Sequence, residues 1–302
     1  MALFQTKKIQ SFILFIIVLI AILWIFQDNF LRLMVFQKNI DQSVSAPKDD
    51  QESAYLEKID NFILKEYSNE QILLHTIQAD TYYSYKNSPV QIFVVEVKTF
   101  NETQKEGVVL TSNRAEILKS GEIFFKGEVK VQTKTGLSHK LDTESLIVLS
   151  DNGQIKSNKE VTYLGEKVRI ISEAMEMSID SDTMYLSGNV KIFENSGMTV
   201  DTKNVDITHN EGKKIYKTKE KTVYRSKGTI VNSENGMDMD MNIQLIKLLG
   251  KVEVLLGSGG VLKSTNVIID QSNDGEVLKS NSLSHFKSNI VDIKAKKMHY
   301  DA

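Results

Sequence analysis

Three copies of one strand pattern constrain this chain more than anything else in its sequence. FFKGEVKV (124–131), LSGNVKIF (186–193) and LLGKVEVL (248–255) carry Gly127, Gly188 and Gly250, which recur at a near-constant spacing. Roughly nine residues after each comes a second glycine: Gly136, Gly197 and Gly260. A polar–apolar alternating stretch follows: LDTESLIVL from Leu141, VDTKNVDIT from Val200 and LKSTNVIID from Leu262. Each copy closes on a turn sequence, at Asn152-Gly153, Asn210-Glu211-Gly212 and Asn273-Asp274-Gly275. A period this long, made of short strands and turns, specifies a stacked β array rather than an enzyme core.

Outside the copies the alternation has period two as well. IDNFILKEYSNEQILLHTIQAD (59–80) divides at Ser68-Asn69 into two strands that can pair as a hairpin. In VQIFVVEVKTFN (90–101), Phe93, Val95 and Val97 alternate with Ile92, Val94, Glu96 and Lys98, which points the first set inward. Met175, Met177 and Ile179 oppose Glu176, Ser178 and Asp180, and Val190 and Ile192 share one face. GMDMDMNIQLI (236–246) puts Met237, Met239, Met241, Ile243 and Leu245 on one side of a single strand. No segment after Ile40 carries a helical stripe. The expected fold is all-β: antiparallel strands with one apolar face each, opposed in a sandwich or jelly roll whose consecutive units continue the same two sheets. Exposed strand edges at the ends would invite pairing with another chain, and the segment 290–300 is expected to form the distal edge, with Val291 and Ile293 as pairing residues. Lys, Glu and Asp on the outward faces do not suit a lipid-facing transmembrane barrel.

Ahead of the β part lie fifteen uninterrupted apolar residues, FILFIIVLIAILWIF (12–26), extended by Ile9, Gln10 and Ser11 to roughly 18. That is close to the length needed to cross a hydrocarbon layer of about 30 Å. No small-x-small cleavage site follows, and a chain without cysteine cannot carry a lipoprotein lipid. Lys7 and Lys8 before the span and Asp28 after it favour a cytoplasmic N-terminus. The expected organisation is a tail (1–8), a transmembrane helix (9–27), a juxtamembrane segment and tether around Pro47 (28–53), a first β-domain (54–169) and a repeat extension (170–302). A net charge of -2, with both signs intermixed, speaks against nucleic acid as a partner.

Catalytic constellations are missing. His75, His139, His209, His285 and His299 are far apart and lack ligand spacing, so no metal is expected. GSGG (257–260) has no helix to present its amides to a phosphate, and the alternating carboxylates of DMDMN (238–242) lack the glycine and terminal glutamate of a calcium loop. Neither a catalytic site nor a cofactor is expected, and the chain is not read as an enzyme.

The stretch 59–85, with Asn61, Phe62, Leu64, Tyr67 and then Ala79-Asp80, resembles the opening of the periplasmic domain of the LptC family. Asn113, Arg114, Ala115 and Glu116, followed by Gly121, Phe125, Gly127 and Val129, are similar to that family's later strands and to the OstA-type repeat shared with LptA and LptD. Members commonly end after about one such domain, whereas this chain continues through two further repeats. The resemblance implies an elongated β-jellyroll, or β-taco, behind one N-terminal transmembrane helix, with a groove for the acyl chains of lipid A. It implies a single-pass inner-membrane protein with its C-terminal domain in the periplasm. It further implies that the protein takes lipopolysaccharide from an LptB2FG-type ABC transporter and hands it to an LptA-like bridge protein.

Phe93, Val95, Phe125, Met175, Met177, Val190, Ile192, Met237, Met239 and Met241 are the candidate groove lining. Unbranched methionine adapts to irregular alkyl surfaces. The same alternation also suits a filled core, so an anchored structural or adaptor protein that binds envelope proteins through its sheet edges is the other reading.

Overall fold

The computed structural model describes residues 55–301, apart from 69, 102, 104, 135–138, 150–153, 179–182, 211–212 and 273–274. The expected tail, transmembrane helix and tether (1–53) lie outside the described residues. Among the described residues every regular element is a strand, and no helix is long and apolar enough to cross a membrane. Two compact units divide between Lys156 and Ser157.

The first unit is a meander. Its strands are β1 (Tyr55–Tyr67), β2 (Leu73–Tyr85), β3 (Val90–Phe100), β4 (Glu106–Ile117), β5 (Ile123–Thr133) and β6 (Lys140–Leu149), leading to the short β7 (Gln154–Ser157). Each pairs antiparallel with the next. The expected hairpin is β1–β2. It turns where the Ser68 hydroxyl accepts the amides of Glu70 and Ile72, both at 3.2 Å, and Gln71 takes φ +61°. The long strands bend near their middles. At the bend Asn61, Val94 and Glu128 have positive φ, and the β4–β5 and β5–β6 registers jump. In β3 the register with both neighbours is kept through Val94, so the left-handed backbone of that residue, and not an inserted one, changes which parity faces inward. Ile92 is buried before the bend and Val95 after it. Phe93 therefore departs from the expected inward face, because the alternation read through 90–101 is broken at Val94, which is 57% exposed.

The second unit repeats this bend and uses it to make two layers. Its strands are β8 (Val161–Leu164), β9 (Val168–Ser178), β10 (Thr183–Glu194), β11 (Thr199–Asn210), β12 (Lys213–Thr218), β13 (Thr222–Ser226), β14 (Thr229–Ser233), β15 (Met237–Asp240), β16 (Leu245–Leu255), β17 (Val261–Asp270), β18 (Val277–Ser280), β19 (Ser284–Lys287), β20 (Asp292–Ala295) and β21 (Met298–Asp301). The two halves of β11 have different neighbours on the same side: its C-terminal half pairs with β12 and its N-terminal half with β13. β12 leads through β15 to the first half of β16, and β13 leads through β14 to the second half. β17 divides in the same way between β18 and β19, which end in β21 and β20. The long strands are thus common to both layers, joined at a crease, while each short strand belongs to one layer.

Glycine and asparagine build the crease. Gly188 and Gly250 lie at φ +78° and +75°, and their amides donate to the side chains of Asn204 and Asn266, at 3.1 and 2.7 Å. Both asparagines are themselves at positive φ, a conformation their short polar side chains tolerate. The expected single strand through 237–245 ends at Asp240, whose carboxylate accepts the Asn242 amide at 2.9 Å and turns the chain. The segment 290–300, expected as one strand, is likewise two: β20 and β21 lie on different layers.

Candidate functional site: an apolar interior and its open end

The register lines up inward residues in rows across each layer of the second unit. In the first layer Ile207, Tyr216, Met239, Ile246, Ile269 and Leu278 are successive partners. In the second, Ile192, Val200, Tyr224, Val231, Val254 and Leu262 are. All twelve are buried, nearly all to complete exclusion of solvent. Side chains of both halves are covered at once, so the layers face each other.

Between these rows and the crease, the second layer carries hydroxyls. Ser172, Thr202, Thr222, Ser233, Ser264 and Ser284 are all buried. Thr202 and Thr222 share a hydrogen bond of 3.0 Å, and Ser264 bonds both Ser280 and Ser284 at 2.7 and 2.8 Å. Ser233 donates to the carbonyl of Leu249 at 2.6 Å. A bulge leaves ladder groups unpaired, and these hydroxyls take up that polarity inside an apolar interior, except Ser172, whose Oγ has no partner. Their signal was in the sequence, at the third position of the alternating stretches: Thr143, Thr202 and Ser264.

Both rows run to the last strands, where the cover ends. Leu262, Leu278, Phe286, Ile293, Met298 and Tyr300 are among the side chains that line a cavity of about 240 Å3 there. Ile293 is 52% exposed. Among the described residues β20 pairs only with β19 and β21 only with β18, so both strands present a free edge beside the cavity. At the other end of the chain β1 pairs only with β2 among the described residues, and it exposes Tyr55, Leu56, Ile59, Ile63 and Tyr67.

The expected lining residues divide by place. Val95 and Phe125 are buried in the first unit, and Met175, Met177, Val190, Ile192, Met237 and Met239 are buried in the second. Phe93 is half-buried on the opposite face. Its ring meets Tyr83 edge-on at 5.9 Å, and the Arg114 guanidinium lies 5.4 Å from its centre. Met241 is in the turn after β15, beside the exposed Ile243, and so is not on the buried face. Of the two expected edge residues, Ile293 is on β20 and lines the cavity, whereas Val291 precedes the strand. Reasoning from sequence missed three buried tyrosines, Tyr163, Tyr216 and Tyr224. Burial raises the hydroxyl pKa of all three, so they stay neutral. Among the described residues no three His, Cys, Asp or Glu side chains are placed to hold a metal ion.

Two bent layers with an apolar interior and free terminal edges define the class: a β-jellyroll built by repetition. The family described as lipopolysaccharide-assembly, LptC-related, matches residues 12–184, more than half of the chain's 302 residues. The chain belongs to the LptC family. Membership makes it a lipid-transport component of the envelope and places it in lipopolysaccharide export. No curated protein matches the chain.

Proposed function

We propose that this protein is an inner-membrane-anchored carrier that passes lipopolysaccharide along its jellyroll, holding the acyl chains of lipid A between the two layers. The observation that carries this reading is the pair of unbroken apolar rows that lead to an open apolar cavity at β20 and β21. Each buried CH2 contributes about 0.8 kcal/mol, so several acyl chains are held without any specific bond. The segment 9–27 is the single span, with its N-terminus in the cytoplasm and the strands in the periplasm. The exposed β1 edge receives cargo from an LptB2FG-type ABC transporter, and the edges of β20 and β21 pair with an LptA-like bridge. The repeats of 170–302 supply part of that bridge.

Photo-crosslinking in cells tests the path. Probes at Val95, Phe125 and Ile293 are expected to give lipopolysaccharide adducts, and probes at Glu96 and Ser178 are not. Folded protein with efficient probe incorporation but no lipid adduct at any of the three sites would remove the carrier reading. Removing 289–302 is expected to abolish association with the bridge while leaving membrane insertion intact.

One observation favours the adaptor reading. From β11 to β18 the inner side chains already fill the space between the layers, with Val200, Tyr216, Tyr224 and Val254 at 0% exposure. An adaptor would keep its edge partners and show no lipid adducts.

A further inference from the structure

The second unit carries the same cross-layer contact twice, one period apart. Tyr163 on β8 and Tyr224 on β13 are separated by one repeat and both belong to the second layer. Lys214 and Glu276 are likewise separated by one repeat, on the first layer. Each lies two positions before an inner-row residue, Tyr216 or Leu278, on the rim away from the crease. Across the gap, Lys214 Nζ donates to the Tyr163 hydroxyl at 3.4 Å and lies 4.9 Å from the centre of its ring. Tyr224 donates to Glu276 Oε2 at 2.9 Å and accepts from Gln271 Nε2 at 2.8 Å.

The next member of the tyrosine series, one repeat beyond Tyr224, is Phe286. It has no hydroxyl, and it lines the open cavity. The interior is therefore filled where the tyrosine contacts cross it and open where the series loses its polar tip. The second contact is also incompletely satisfied: Glu276 is 2% exposed, yet its Oε1 has no partner. A buried acceptor left unpaired raises the free energy of the closed form and leaves it poised to part.

We propose that Tyr163–Lys214 and Tyr224–Glu276 are latches across the rim of the second unit, and that an alkyl chain enters or leaves the interior sideways when they part. The nature of the cargo rests on the carrier reading above, while the opening itself does not. The layers remain joined at the crease by the shared long strands, so parting the rim needs no ladder bond to break.

The test uses the full-length protein with Tyr163→Phe, Tyr224→Phe and the double variant, which keep both rings and remove only the hydroxyls. Tyr185→Phe, at an exposed tyrosine, is the control. Amide exchange is expected to accelerate about tenfold in segments 161–164, 214–218, 222–226 and 276–280 of the double variant, with the crease of β10 and β17 unchanged. Association of cis-parinaric acid, a fluorescent fatty acid, is expected to quicken several-fold in the same variant. Unchanged exchange at the rim, or equal acceleration throughout the unit, would overturn the latch. Faster rim exchange with no binding of the fatty acid to any form would keep the latch and overturn the lipid cargo.

Discussion

Alanine at Gly236 is expected to unfold the second unit locally, whereas alanine at Gly259 is expected to do little. Both glycines have strongly positive φ, at +95° and +89°, so both substitutions carry the same backbone strain of roughly 1–2 kcal/mol. They differ in what the new methyl group meets. At Gly259 nothing lies within 4 Å. At Gly236 the methyl would sit 1.9 Å from the Thr218 carbonyl oxygen and 2.6 Å from its carbon, which are backbone atoms that no rotamer change can move. Relief requires Met237 to separate from Thr218, the pair at which β15 joins β12. It also disturbs the Gly236 carbonyl, which accepts the Leu249 amide at 3.0 Å and the Ser233 hydroxyl at 2.8 Å. The expected loss is about 4 kcal/mol or more for Gly236→Ala, against about 1–2 kcal/mol for Gly259→Ala. Urea unfolding followed by circular dichroism, with limited proteolysis to locate the opened segment, reads the difference. Equal losses would mean that strain alone, and not the approach of β12, sets the cost.

Stability is expected to fall as pH drops from neutral toward 4, and His75 is expected to account for much of the loss. Its imidazole is buried, Nδ1 has no partner, and burial lowers its pKa to about 4. In the unfolded chain it titrates near the ordinary value of about 6.5. Between those two values the unfolded state binds the extra proton, so protonation favours unfolding. The contribution is fully present above about pH 6.5 and is lost progressively down to about pH 4, with a ceiling of about 3 kcal/mol at about 1.36 kcal/mol per unit. Comparing urea midpoints at pH 7.5 and 4.5 for the wild type and His75→Leu cancels the carboxylates common to both. The variant is expected to show a flatter profile. Parallel profiles would mean that the imidazole is solvated when the protein is folded.

The period and the strand faces were legible because glycine and alternation are strong signals. Gly127, Gly188 and Gly250 all have positive φ, and the buried parity of Val190, Ile192, Met237 and Met239 follows directly from the pattern. The errors arose where the backbone departs from extended geometry without a residue that announces it. Val94 adopts φ +55°, which a β-branched side chain disfavours, so nothing in VQIFVVEVK signalled the change of face that carries Phe93 outward. Asp240 read as the wet side of a strand, but its carboxylate makes the turn that takes Met241 off the buried face. The rim contacts are legible only after the fold is known. Tyr163 and Lys214 are 51 residues apart, and only the splitting of long strands between two layers brings them together.

Equivalent positions one period apart have a consequence for how a protein of this kind can change size. Gly188 and Gly250 occupy the same place in successive repeats, so joining Ser187 directly to Gly250 would excise one whole repeat and still present every surviving strand with a neighbour of matching parity. An excision that is not of whole repeats would bring inward residues against outward ones, or set a crease glycine against a strand without its asparagine. Growth and shortening are therefore quantised. Sequence drift within a repeat can be gradual, whereas the reach of the array changes by whole repeats.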